Sequence, residues 1–204
     1  MLQSLFRAKQ DPIPAGTVER WFDGKDFTTD WLSKKISPWF AALAPLKDKP
    51  VRILEVGSFE GRSAVALLNI LPLGHITCID TFSHDGVEDR FDFNLAPFGQ
   101  RVRKIKSMAT EPLEGMRRKR ETFDVVYLDA GKGRDWNFLL STLVWPLVSI
   151  NGTIIWDDLT WGGKKPPEER PGDAIRLFTR AFSDCLVIVH EGKQLIARKT
   201  KDWP

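Results

Sequence analysis

Glu55-Val56-Gly57-Ser58-Phe59-Glu60-Gly61 is the stretch of sequence that decides the fold. It closes the apolar run 51–56, which predicts a strand, and it precedes residues 62–70, whose apolar spacing predicts a helix. Gly57 and Gly61 allow the backbone to turn sharply between the two elements and let a ligand approach closely. The stretch therefore predicts a strand–turn–helix unit with room for a ligand above the turn.

Strands and helices continue to alternate along the rest of the chain. Further strands are predicted at residues 75–79, 102–106, 123–128 and 152–156, and helices at 87–96, 109–120, 136–148 and 173–182. Two late strands, 185–190 and 194–198, are close enough to form a hairpin. This order predicts an α/β sandwich, Rossmann-like, whose seven-stranded sheet is mostly parallel with an antiparallel strand at one edge.

The N-terminal residues 1–49 do not follow this alternation. The first 25 or so contain proline and glycine and predict an irregular arm. Apolar residues at helical spacing over 28–46 predict two short helices, one of them starting with Ser37 as N-cap before a proline. We expect residues 1–49 to form a lid or flank on the substrate side of a ligand-binding domain at 50–204.

Composition excludes several classes of protein. The chain has 204 residues, 42% of them hydrophobic, which suits one globular domain and rules out a disordered or fibrous chain. A net charge of +3 does not by itself indicate a surface that binds nucleic acid. Cys78 and Cys185 lie far apart in apolar runs, which favours a reduced, cytoplasmic setting. No apolar stretch approaches the roughly 20 residues that span a bilayer, so no membrane association is expected.

The ligand class follows from the glycine turn and from Asp80, the residue that ends the second strand. The turn is neither G-x-G-x-x-G nor a P-loop, which disfavours a dinucleotide or a nucleoside triphosphate. An acid at the end of the second strand accepts hydrogen bonds from ribose hydroxyls in such folds. A nucleoside ligand without a polyphosphate fits both facts. The alternative is that Gly57 and Gly61 form only a tight turn.

Several stretches in one order now resemble a known family. Residues 55–61 resemble the E-x-G-x-x-x-G first motif of class I S-adenosylmethionine-dependent methyltransferases, and Ile79-Asp80-Thr81-Phe82 is similar to their second motif. The likeness is nearest to the methyltransferase-24 domain family and covers about residues 50–198. It continues through residues 90–96, 123–129, 145–147, 155–158 and 174–178. The first motif alone is weak evidence, whereas the ordered set is specific.

The resemblance implies a set of cofactor-binding residues. Gly57, Ser58 and Gly61 would face the methionine part of S-adenosylmethionine, and Asp80 would hold the ribose. Ser107 and Met108 would lie beside the adenine. The remaining members of the implied set are Glu55, Phe59, Thr81 and Asp129.

Three acids follow two apolar strands at their carboxyl ends, namely Asp129 and the pair Asp157-Asp158. If these strands are neighbours in the sheet, the carboxylates lie close together and repel, and a divalent cation removes that penalty. Magnesium prefers such oxygen ligands, so the acids are candidate metal ligands. Alternatively, Asp129 holds the methionine amino group, and Asp157 and Asp158 cap the next turn.

Lys132 stands three residues after Asp129, as the catalytic lysine of catechol O-methyltransferase-like enzymes follows a metal-binding aspartate. The methyltransferase-24 family is expected to have D-G-S-H here, with histidine at this position, and the catechol enzymes to have asparagine where this chain has Asp158. Lys132 is the candidate general base, since a lysine near a metal can have a lowered pKa. The alternative is a surface charge.

These features predict an S-adenosylmethionine-dependent methyltransferase that acts on a small-molecule hydroxyl, with magnesium assisting. A catalytically inactive cofactor-binding protein of the same fold is one alternative. A nucleic-acid methyltransferase is another, although the mild charge and the lack of an N-P-P-Y-type motif disfavour it. The expected partner is the small-molecule acceptor, and a homo-oligomer stays open.

Overall fold

A computed structural model describes residues 16–202 of the chain. Within that range, seven strands are present: β1 Arg52–Val56, β2 His75–Asp80, β3 Val102–Lys106, β4 Phe123–Leu128, β5 Val148–Trp156, β6 Leu186–Glu191 and β7 Leu195–Lys199. Seven α-helices surround them: α1 Thr17–Phe22, α2 Ser37–Leu43, α3 Arg62–Ile70, α4 Val87–Leu95, α5 Thr110–Arg118, α6 Arg134–Val144 and α7 Pro171–Ala181. No α-helix within residues 16–202 is long and apolar enough to cross a membrane.

The seven strands form one sheet in the order β3-β2-β1-β4-β5-β7-β6. Strands β1 to β5 pair in parallel, and β7 runs antiparallel between β5 and β6. The predicted fold is therefore confirmed, and the antiparallel strand lies one position in from the edge. The strand order reverses between β1 and β4, which is where ligands bind in open α/β sheets.

Both faces of the sheet are covered, which explains the nearly continuous apolar runs of its strands. In β1, Ile53 packs in a core cluster with α2, α3 and α4, whereas Leu54 and Val56 pack in a second cluster with α5, α6 and α7. Successive strand residues point to opposite faces. The sheet is the middle of three layers, and the two clusters pack against its two faces. The carboxyl ends of its parallel strands are therefore held rigidly beside one another.

The N-terminal prediction is partly wrong. Helix α1 lies inside the stretch that was expected to be irregular, and the part of that arm formed by residues 1–15 lies outside the described residues. The Trp21 ring stacks on Phe40 with centroids 5.7 Å apart. A six-residue helix has little stability of its own, so tertiary packing of this kind stabilises it.

The two short helices expected over 28–46 are only partly present. The structure has one α-helix there, α2, followed by a 3₁₀ turn at Ala44–Leu46, and Ile36 rather than Ser37 is the N-cap residue. Ser37 is therefore already helical, and the proline after it occupies the second helical position, where its missing N–H costs no hydrogen bond. Residues 28–36 are therefore non-helical, and Leu32 and Ile36 of this segment are buried in the core.

From β1 onward the predicted elements are all present, and the largest boundary difference lies between α6 and β5. Helix α6 ends at Val144, and a 3₁₀ turn at Trp145–Leu147 leads directly into β5. Pro146 cannot continue the helix, which brings the strand start to Val148, four residues before the predicted start.

Candidate active site

A cavity of about 380 Å³ opens at the carboxyl ends of β1, β2 and β4. Eight of the predicted cofactor residues line it: Gly57, Ser58, Phe59, Asp80, Thr81, Ser107, Met108 and Asp129. Lys132 and Asp157 also reach it. The other two predicted cofactor residues, Glu55 and Gly61, lie behind its wall.

The two glycines of the turn each allow a different part of the protein to approach the turn closely. Gly57 has φ +89°, and a Cβ there would lie 2.2 Å from the carbonyl oxygen of Asp129. Gly61 has φ +82°, and its Cβ would lie 2.2 Å from Leu95 Cδ2. Gly57 thus lets the β1 and β4 loops meet beneath the cavity, whereas Gly61 lets α4 pack against the start of α3.

Asp80 is held at the cavity edge by the backbone. Its Oδ2 accepts from the Phe59 N–H at 2.9 Å and its Oδ1 from the Phe82 N–H at 2.7 Å. Both donors have positive φ, 47° for Phe59 and 49° for Phe82, which costs of order 1–3 kcal/mol each for such residues. The fold tolerates this strain around one carboxylate, and that carboxylate keeps lone pairs for two further donors.

Glu55 is a fully buried carboxyl group on β1, behind the cavity wall. The Cys78 thiol donates to its Oε2 at 3.4 Å, and its Oε1 has no hydrogen-bond partner within the described residues. Desolvation by burial raises the pKa of Glu55 to about 7. Glu55 therefore stays protonated to a higher pH than an ordinary glutamate does.

Glu55→Gln should make the protein less sensitive to pH. Because the folded-state pKa of about 7 exceeds the ordinary 4.5, the Glu55 contribution to stability is full below pH 4.5 and is lost as the pH rises through 7. Between pH 5 and 8 the wild type should lose up to about 3 kcal/mol of unfolding free energy relative to Glu55→Gln. Urea unfolding at both pH values measures this, with the exposed Glu114→Gln as control. Parallel pH profiles for wild type and Glu55→Gln would contradict it.

The three predicted metal ligands come together as expected, because β4 and β5 are neighbours in the sheet. One carboxylate oxygen from each of Asp129, Asp157 and Asp158 lies within 4.8 Å of the others. Asp157 is buried, whereas Asp129 and Asp158 are partly exposed. We call these three residues the acid cluster.

Two lysines and a tyrosine hydroxyl contact the acid cluster. Lys35 Nζ donates to Asp157 Oδ1 at 2.6 Å, and the Tyr127 hydroxyl donates to Asp157 Oδ2 at 2.7 Å. Lys132 forms ion pairs with Asp129 at 3.1 Å and with Asp158. Two ammonium groups thus offset part of the repulsion among three carboxylates.

The pKa values of the cluster reflect these contacts. Desolvation together with the charge of Asp157 raises the pKa of Asp129. Burial opposes the ionised form of Asp157, but Lys35 outweighs it and lowers the Asp157 pKa. Burial likewise opposes the charge of Lys132, but Asp129 and Asp158 outweigh it and raise the Lys132 pKa. Lys132 is therefore protonated while these carboxylates have no other cation.

The acid cluster fits a divalent cation. Its donors are hard carboxylate oxygens on two strand ends, the type that magnesium takes together with water and substrate oxygens. Lys35 and Lys132 engage the same oxygens, so an ion would have to share or displace them.

A second cavity, of about 490 Å³, adjoins the first. Both are lined by Trp31, Asp129, Lys132 and Asp157, whereas Lys35, Asp158, Thr160, Trp161 and Lys193 line the second alone. Lys132 and two members of the acid cluster, Asp129 and Asp157, therefore lie where the two cavities meet.

Sequence reasoning missed Lys35 and Tyr127 as members of this site. Nothing local marks Lys35, which is 122 positions from its partner in the chain. Tyr127 could have been predicted from the sequence. It lies two residues before Asp129, and side chains two positions apart along a strand point to the same face of the sheet. Trp31 and His84 also line the first cavity. Trp31 lies in the segment predicted to be helical, which is not helical in the structure.

The profile of the Methyltransf_24 family, described as a methyltransferase domain, matches residues 54–159. The chain belongs to this family. The matched range contains the glycine turn, Asp80 and the acid cluster of this chain. A search of curated proteins finds no match.

Solved methyltransferases share the fold. MycE from the mycinamycin biosynthetic pathway, in complex with Mg and S-adenosylhomocysteine, superposes with a TM-score of 0.67 at 18% identity, covering 94% of this chain and 56% of MycE. The chain thus spans little more than half the length of MycE. An O-methyltransferase from Bacillus cereus in complex with S-adenosylhomocysteine gives 0.64 at 18%, covering 91% of each chain. The O-methyltransferase TomG from Streptomyces achromogenes, in complex with S-adenosylmethionine, gives 0.61 at 23%, covering 90% and 86%.

Proposed function

We propose that this protein transfers the methyl group of S-adenosylmethionine to a hydroxyl oxygen of a small molecule, with a divalent cation assisting. The observation that carries the proposal is that two cavities meet at Asp129, Asp157 and Lys132. One cavity has the glycine turn and Asp80 of a nucleoside site, and the other has room for an acceptor. Family membership and the cofactors of MycE, the Bacillus cereus enzyme and TomG support it.

The first cavity offers groups for each part of the cofactor. Asp80 has free lone pairs for the ribose hydroxyls, and Ser107 and Met108 line the wall on which adenine would lie. Gly57 and Ser58 would face the methionine end, with Asp129 near its amino group. Thr29, Trp31 and Leu32 line the same cavity, which supports a covering role for the N-terminal residues 1–49.

Asp80→Ala should weaken binding of S-adenosylhomocysteine about tenfold or more, since a hydrogen bond to a charged group contributes roughly 1.5–3 kcal/mol. Calorimetry on the wild type, expected in the low micromolar range or tighter, and on Asp80→Ala measures the difference. Asp85→Ala, an exposed acid five residues further on, is the matched control and should bind as the wild type does. No heat with the wild type, or equal affinity in Asp80→Ala, would remove the cofactor assignment.

Methyl transfer to oxygen is an in-line displacement, so the protein must align the acceptor oxygen, the methyl carbon and the sulfur and exclude water. Asp129, Asp157 and Asp158 would hold magnesium, which when bound would orient an acceptor hydroxyl and lower its pKa. Lys132, next to these carboxylates, would take the hydroxyl proton once another cation relieves its ion pairs. Lys35, which belongs to the N-terminal residues 1–49, would hold the Asp157 carboxylate in place through its hydrogen bond.

EDTA should abolish methyl transfer, and added magnesium should restore it. Asp157→Asn should weaken metal binding much more than cofactor binding, because it deletes a charge that faces the ion and leaves the glycine turn intact. Titration with manganese followed by electron paramagnetic resonance measures the first effect, and calorimetry with S-adenosylhomocysteine the second. Asp135→Asn, an exposed acid on α6, should change neither.

Full activity in EDTA would remove the metal from the mechanism. Binding of S-adenosylhomocysteine without any turnover would instead favour a catalytically inactive cofactor-binding protein.

A further inference from the structure

The second cavity is lined by an unusual combination of side chains. Besides the acid cluster it has three lysines, two tryptophans and a threonine, namely Lys35, Lys132, Lys193, Trp31, Trp161 and Thr160. Three carboxylates and three ammonium groups balance the formal charge of this lining. The cavity is thus rich in charge but neutral overall, so the arrangement of the charges decides which ligands it favours.

Lys193 differs from the other two lysines of the cavity. Lys35 and Lys132 form ion pairs with the acid cluster, whereas the ammonium group of Lys193 makes no ion pair or hydrogen bond within residues 16–202. Lys193 is exposed, but its backbone is fixed, because its carbonyl oxygen accepts from the Leu159 N–H at 3.0 Å. The following residue, Gln194, is buried and accepts from Trp39 Nε1 at 2.8 Å.

The two tryptophans give the cavity flat apolar surfaces. Trp31 is 62% exposed and packs on Phe59 with ring centroids 5.4 Å apart. Trp161 is 37% exposed, and Lys132 Nζ lies 5.9 Å from the centroid of its ring. Exposed indole rings at a cavity favour a planar ligand, which can stack on them without ordering flexible bonds.

We infer that the acceptor is a hydroxylated aromatic compound with an anionic substituent such as a carboxylate. Its anion would pair with Lys193, its ring would contact Trp31 or Trp161, and its hydroxyl would reach Lys132 where the two cavities meet. The inference rests on the proposed function and narrows its substrate class. A neutral acceptor would gain no ion pair with Lys193, and a cationic acceptor would be repelled by it.

The test compares two acceptors that differ in charge. Protein saturated with S-adenosylhomocysteine and magnesium is titrated with 3,4-dihydroxybenzoate and with neutral 3,4-dihydroxybenzyl alcohol. The wild type should bind the anion roughly three- to tenfold more tightly, as one partly exposed ion pair allows. This preference should shrink at high salt, which screens exposed charges.

Variants of Lys193 test whether this residue causes the tighter binding of the anionic acceptor. Lys193→Gln should abolish it and leave affinity for the alcohol unchanged, and Lys193→Arg should keep it. Lys164→Gln is the matched control, because Lys164 is an exposed lysine that lines neither cavity. Equal affinities in the wild type, a preference that survives Lys193→Gln, or no binding of either compound would overturn the inference. Failure of the proposed function is distinguishable, since it would appear as absent S-adenosylhomocysteine binding or absent turnover.

Discussion

Lys132→Ala should lower the rate of methyl transfer by roughly 10²–10⁴-fold, the usual effect of losing a positioned base. Affinity for S-adenosylhomocysteine should stay close to that of the wild type, because cofactor recognition is assigned to the glycine turn and Asp80. Single-turnover kinetics at saturating acceptor measure the rate. The loss should shrink at high pH if the acceptor ionises without help.

Two further variants separate proton transfer from charge. Lys132→Arg keeps a cation beside Asp129 and Asp158 but cannot act as a base near neutral pH, so it should be nearly as slow as Lys132→Ala. Lys165→Ala is the control, since Lys165 Nζ lies 5.3 Å from the centroid of the Trp161 ring that Lys132 also faces. Near-wild-type turnover in Lys132→Ala would leave proximity and orientation as the main catalytic effects. Full activity in Lys132→Arg would mean that charge alone matters.

Gly57→Ala should destabilise the protein by about 3–5 kcal/mol and lower the melting temperature by roughly 10 °C. The added methyl group would lie 2.2 Å from the Asp129 carbonyl oxygen, and backbone cannot move aside as a flexible side chain can. The shift would separate the β1 and β4 loops beneath the cavity, so S-adenosylhomocysteine should no longer stabilise the variant. Thermal unfolding with and without S-adenosylhomocysteine measures both effects.

Gly24→Ala separates steric overlap from backbone strain. Gly24 also has positive φ, +69°, but a Cβ there would meet no atom within 4 Å. Its cost should be about 1–2 kcal/mol, the strain alone, and S-adenosylhomocysteine should still raise its melting temperature. Equal destabilisation by the two substitutions would mean that the approach of Gly57 to Asp129 contributes nothing.

The acid cluster shows what strand-end reasoning can predict. Asp129 and Asp157 each follow an apolar strand, and the carboxyl ends of adjacent parallel strands lie together, so their proximity follows once β4 and β5 are neighbours. Lys35 could not be predicted in this way. It reaches Asp157 through the packing of a non-helical segment against the sheet, and no local pattern records such a contact.

Glu55 and helix α1 show two other reasons for incomplete prediction. Strand β1 is buried on both faces, so the usual alternation of polar and apolar residues does not reveal which way Glu55 points. Helix α1 depends on Trp21 packing against Phe40 rather than on its own six residues. In both cases tertiary contacts decide the outcome.

A crystal structure with S-adenosylhomocysteine and magnesium would test the central claim most directly. The account predicts adenosine in the first cavity, with both ribose hydroxyls donating to Asp80 and the adenine beside Ser107 and Met108. It also predicts an ion within about 2.1 Å of oxygens from the acid cluster. A first cavity without the nucleoside, or a nucleoside that does not contact Asp80, would contradict the account.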